Sequence, residues 1–78
     1  MTTEQKRLVD ARRGERGTIV SLPDNSELRS QCIRLGICVG ASFQCIERLP
    51  GGTIVLETSR QEIALGRSLA IAIGVALV

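Results

Sequence analysis

The sequence of 78 residues contains no histidine, no tryptophan and no tyrosine, and Phe43 is its one aromatic side chain. Without histidine the chain cannot build a His general base, a Ser-His-Asp or Cys-His nucleophile, or a His-ligated zinc or iron centre. Without aromatic rings it cannot build a stacking platform for single-stranded nucleic acid. No apolar run approaches the ~20 residues of a spanning helix; the longest, Leu69 to Val78, is broken by Gly74. The amino terminus is polar and lacks the apolar stretch of a signal peptide. These absences predict one small cytoplasmic domain with no membrane span. At this size little area remains for a deep catalytic pocket, so a binding or accessory module is expected rather than an enzyme.

What is abundant is aliphatic. Leu, Ile and Val number nine, eight and six, enough to build a packed core and to argue against disorder. The net charge is +2 and lies wholly in the first sixteen residues, where Lys6, Arg7, Arg12, Arg13 and Arg16 outnumber Glu4, Asp10 and Glu15. Five Arg balance five acids in the remainder. A local excess of two charges is a weak footprint for nucleic acid or an anionic surface, and it reads as a solvated lead-in. The cysteines Cys32, Cys38 and Cys45 are odd in number and do not form a C-x-x-C pair. They are expected to be buried free thiols in a reducing compartment, with neither disulfide nor zinc. No metal ligand set, cofactor site or catalytic residue is assigned.

Glycines divide the chain into short pieces that read as strands. Thr18–Leu22 is β-branched and lies between Gly17 and the turn Pro23-Asp24-Asn25. Residues 42–58 read as a hairpin about the turn Pro50-Gly51-Gly52, and Glu62–Leu65 as a further strand. Leu28, Cys32 and Leu35 fall at i, i+4 and i+7, which predicts a helix capped by Asp24 with Glu27 and stopped by Gly36. Gly14 and Gly17 are read as a tight turn before the first strand. Gly66-Arg67-Ser68 leads into one helical twist, and the chain is extended again from about Ala72. About five short strands with one inserted α-helix must curl into a small β-barrel or partly open sheet, since flat edges would aggregate. Residues 1–7 are a polar lead-in and 8–78 the barrel of a single domain.

In order along the chain, these pieces resemble the FeoA family, small proteins that accompany the ferrous-iron transporter FeoB. The resemblance spans Leu8 to Val75 and rests on four elements. They are Leu8-Val9-Asp10-Ala11 with Gly14 and Gly17-Thr18-Ile19-Val20; Arg34-Leu35-Gly36-Ile37 with Gly40; Pro50-Gly51-Gly52 with Thr53-Ile54; and Ile63-Ala64-Leu65 with Ala70 and Ile73-Gly74-Val75. The same module resembles the carboxy-terminal domain of iron- and manganese-dependent repressors. The resemblance implies an SH3-like barrel and a non-catalytic accessory or regulatory role in ferrous-iron uptake, with the cytosolic part of a FeoB-type transporter as partner. An SH3-type groove for Pro-rich peptides needs aromatics that Phe43 alone cannot supply. The partner surface is therefore expected at the helix and its exit, at Arg29, Arg34, Ile37 and Cys38. The alternatives are a nucleic-acid or ribosome-associated barrel, because Arg12 to Val20 resembles the KOW motif, or a stand-alone SH3-like domain of an iron-dependent repressor type. Unpaired strand edges leave homo-oligomers open.

Overall fold

The computed structural model describes residues 6–59 and 61–78, which contain six strands, the longer ones where buried side chains recur at every second position. They are β1 (Lys6–Arg7), β2 (Arg16–Ser21), β3 (Ser42–Arg48), β4 (Ile54–Glu57), β5 (Glu62–Leu65) and β6 (Gly74–Leu77). A 3-10 turn at Leu8–Asp10 follows β1, α1 (Ser26–Arg34) lies between β2 and β3, and α2 (Arg67–Ala70) precedes β6. All pairings are antiparallel, in the order β1-β6-β2-β3-β4-β5. The small SH3-like architecture is present, but the sheet does not close, and β1 and β5 are its edges.

Two elements lie beyond the sequence reading. Lys6–Arg7 is a strand paired with β6, although its composition gives no strand signal. Gly17 is not part of a turn: it lies inside β2, and only Gly14 has a positive φ, of 90°. A Cβ on Gly17 would come within 2.5 Å of the Ala76 carbonyl oxygen and 3.1 Å of the Phe43 ring. The position is empty of side chain because β6 and the one aromatic ring occupy that space.

The core takes one face of every long strand: Ile19, Phe43, Cys45, Ile54, Leu56, Ile63, Leu65 and Val75 are buried, joined by Leu8, Cys32, Ile37 and Ile73 from the connections. The hairpin of β3 and β4 turns through Gly51 and Gly52, at φ of 89° and 93°. The β3–β4 register shifts between Cys45 and Glu47, a bulge that re-aims the end of β3. Arg48 consequently reaches across to the 3-10 turn and donates from Nη1 to the carbonyls of Val9 at 2.8 Å and Ala11 at 2.7 Å. Among the described residues no helix is long and apolar enough to cross a membrane.

Candidate functional site

Helix α1 is held at both ends by short-range chemistry. Its N-cap is Asn25, whose Oδ1 accepts from the Leu28 N–H at 3.0 Å. The expected cap, Asp24, is one residue too early, and its carbonyl instead accepts from Arg29 Nη2 at 2.7 Å. Arg29 Nε donates to the Pro23 carbonyl at 3.0 Å, so this guanidinium ties down the loop that enters the helix. Two of its donating atoms, Nε and Nη2, are engaged within the chain, which makes it a positioning group for α1.

At the carboxy-terminal end, Gly36 adopts φ of 84°. The Gly36 N–H donates to Ile33 O at 3.0 Å and the Ile37 N–H to Cys32 O at 2.9 Å. These are the two bonds of a Schellman motif, which turns the residue after the glycine inward against the last turn of the helix. Ile37 is accordingly 1% exposed and part of the core. That corrects its expected place on a partner surface. The chain then emerges: Cys38 and Val39 are exposed, and Gly40, at φ of 93°, hooks back to β2 by donating to Ile19 O at 2.8 Å. Gln61 Nε2 donates to Leu35 O at 3.0 Å, fixing the helix exit to the turn between β4 and β5. An open cavity of about 430 Å³ lies between these segments, lined by Cys38, Ser42, Thr58 and Gln61 among others.

The surface so built is more apolar than the sequence reading expected. Ile33 is 59% exposed, Leu35 37% and Val39 61%, all within residues 33–39. Leu35 was expected to face the core with Leu28 and Cys32, but the Schellman turn gives that place to Ile37. Ile33 carried a readable signal: it stands outside the i, i+4, i+7 stripe, on the side that also presents Arg34. Arg34 is exposed, with Nε 3.4 Å from the Ser30 carbonyl. Three of the four expected residues, Arg29, Arg34 and Cys38, therefore lie at the surface around α1 and its exit, and Ile37 supports them from below.

The three thiols differ, contrary to the expectation that all are buried. Cys32 and Cys45 are buried and Cys38 is exposed. Burial pushes the Cys32 and Cys45 thiols above their ordinary value, which suppresses the reactive thiolate. A chromogenic disulfide reagent at pH 8 is expected to label one thiol per chain promptly and all three in denaturant. A second prompt thiol in the native protein would contradict this placement.

The basic lead-in is weaker than its composition. Lys6, Arg7 and Arg12 line an open cavity of about 740 Å³ with Asp10 and Glu15, and the Glu15 carboxylate already accepts from the Arg12 backbone N–H at 2.7 Å. Among the described residues no group of three or more His, Cys, Asp or Glu side chains is placed to hold a metal ion.

The sequence profile of the family described as "FeoA domain" matches residues 6–77. No curated protein matches the sequence significantly. Among solved structures, the chain is similar to an iron uptake regulatory protein (FeoA) at 24% identity, with a TM-score of 0.88 over 96% of this chain and 100% of that one. A FeoA-like protein from Clostridium acetobutylicum is 22% identical, with a TM-score of 0.86 over 100% of this chain and 91% of that one. A manganese-dependent transcriptional repressor is 22% identical, with a TM-score of 0.90 over 100% of this chain but 44% of that one. These likenesses establish the shared fold.

Proposed function

The chain belongs to the FeoA domain family, which is associated with ferrous iron transport; from that premise we propose that it is a non-catalytic accessory protein of ferrous-iron uptake. It works in the cytoplasm and docks on the cytosolic part of a FeoB-type transporter. The docking surface is the last turn of α1 with its exit loop. Ile33, Leu35 and Val39 form the apolar centre of that surface, Arg34 and Cys38 stand beside it, and Arg29 holds the helix in place.

The observation that carries this reading is the exposure of three large aliphatic side chains on a segment whose backbone is fixed. Scattered exposed aliphatics are ordinary, but a cluster on a rigid turn gains by being covered. A rigid surface also loses little conformational entropy on binding, so more of the contact energy appears as affinity.

The test is binding between the purified protein and the transporter's cytosolic domain, read by calorimetry. Ile33→Asp with Val39→Asp is expected to weaken the complex by tenfold or more, on the order of a hot-spot loss, while the far-ultraviolet circular dichroism stays native. Unchanged affinity in the double variant would move the docking surface elsewhere. Absence of any complex, together with unaltered iron uptake on deletion, would remove the accessory role.

A further inference from the structure

We propose that the outer edge of β5 is a second docking site, which takes an extended basic segment of another protein as an added strand. This does not depend on the α1 surface or on the transport role. The backbone points to it. The Thr58 N–H donates to the Gln61 carbonyl at 2.9 Å, which makes Thr58 and Gln61 a hydrogen-bonded pair of the β4–β5 hairpin. Bonded and non-bonded pairs alternate in an antiparallel ladder. In the observed register, Leu56/Ile63 and Ile54/Leu65 are then the next bonded pairs. The N–H and C=O groups of Glu62 and Ala64 therefore point away from β4, and β5 has no neighbour on that side. Among the described residues nothing bonds to them, and both residues are exposed. An edge of this kind is a template for strand addition.

Charge selects the occupant. Arg16, Gln44, Glu57 and Glu62 lie opposite one another in turn, a single row across β2, β3, β4 and β5. Glu57 and Glu62 are directly opposed on a non-bonded pair, where side chains stand about 5 Å apart and like charges repel. Glu47 occupies the same outer face, opposite Val55. Arg48, the next residue, lies opposite the buried Ile54 and donates to the carbonyls of Val9 and Ala11. Among the described residues, the outer face of β3, β4 and β5 thus carries three carboxylates and no cation. A strand added at the normal spacing of ~4.8 Å would extend the row by one position beside Glu62, where a Lys or Arg relieves the repulsion. Its alternate side chains would lie on the side of Ile63 and Leu65 and should be apolar.

The same charges disfavour a second copy of this chain. Two β5 edges brought together would place the Glu57 and Glu62 carboxylates of both copies on one continuous outer face. The other edge, β1, has the complementary charge, but there the Leu8 N–H bonds to Ile73 O, so by alternation Arg7 alone among the described residues of β1 directs its backbone outward. Acidic side chains at the edge exclude acidic segments and self-pairing while admitting basic ones.

The test uses the full chain and a capped, fluorophore-labelled hexapeptide alternating Lys and Val, with its Glu/Val counterpart as control. Saturable anisotropy with the Lys/Val peptide only is expected, and amide shifts in two-dimensional NMR should centre on Glu62 and Ala64. Ala64→Pro removes an outward N–H without touching the β4 ladder, and is expected to weaken binding about fivefold or more. Glu57→Lys with Glu62→Lys should abolish Lys/Val binding and create Glu/Val binding, which covers the case in which the proline variant does not fold. No saturable binding, equal binding of both peptides, shifts centred away from β5, or self-association through this edge would each overturn the proposal.

Discussion

Replacing Gly17 by alanine is expected to destabilise the protein by about 3 kcal/mol, the upper range for overpacking a filled core, and to lower its denaturation midpoint accordingly. The new methyl group would lie 2.5 Å from the Ala76 carbonyl oxygen and 3.1 Å from Cε1 and Cζ of Phe43. Neither neighbour can yield cheaply. The carbonyl belongs to the backbone of β6, which is paired with β2 on one side and β1 on the other, and the ring is buried. Relief requires β6 to separate from β2, or Phe43 to leave the core. A domain of this length has a total stability on the order of 4–12 kcal/mol, so the change consumes a large share of it. Urea denaturation followed by circular dichroism measures the effect. Gly66→Ala is the control: it has open space around it and a negative φ, and the loss of a glycine N-cap is offset by the reduced entropy of the unfolded chain, so its stability should change by less than about 1 kcal/mol. Equal losses at the two positions would show that glycine flexibility, and not close approach, is what β2 needs.

Ile37→Ala is expected to cost about 3 kcal/mol, within the range for truncating a fully buried aliphatic residue. The side chain fills the space under the last turn of α1, with its own N–H bonded to Cys32 O. Removing it leaves a cavity where the helix exit is anchored. The two roles considered for this residue separate cleanly in one experiment. The denaturation midpoint should fall, while partner affinity per folded molecule stays within a factor of two to three of the parent. A residue in contact with the partner would show the reverse, an intact midpoint and a lost complex.

Ile37 also illustrates how far sequence reasoning reaches. The helix stop at Gly36 was legible, because a positive-φ residue after an amphipathic stretch is a local signal. The inward turn of the next residue was not, since it depends on hydrogen bonds back to Cys32 and Ile33. The hairpin at Pro50-Gly51-Gly52, the strand at Glu62–Leu65 and the helical twist before the last strand were legible for the same local reason. Asn25 and Asp24 are nearly equivalent as caps, so the choice between them falls to tertiary geometry. β1 was invisible because Lys6 and Arg7 are strand only by virtue of their neighbour β6. The role of Gly17 and the acidic edge of β5 share that character. Each depends on residues more than twenty positions apart or on which groups remain unpaired, and neither is a property of a window. Of the proposed docking surface, the exposed positions Arg34 and Cys38 were legible from the helix and its exit. The apolar centre was missed because Leu35 was assigned to the core stripe.

The position of β6 bears on how the protein is made. This strand, the last of the six in sequence order, lies between β1 and β2 rather than at a border of the sheet. On the ribosome, β2 to β5 can emerge and pair by short hairpin connections and one helix. During that interval the flank of β2 that will receive β6 is bare, and the pocket for Ile73 and Val75 is unfilled. Completion waits until residues 73–77 have cleared the exit tunnel, so folding is finished after translation of the domain and not during it. Until β6 pairs, the flank of β2 presents unpaired backbone groups that the finished sheet covers.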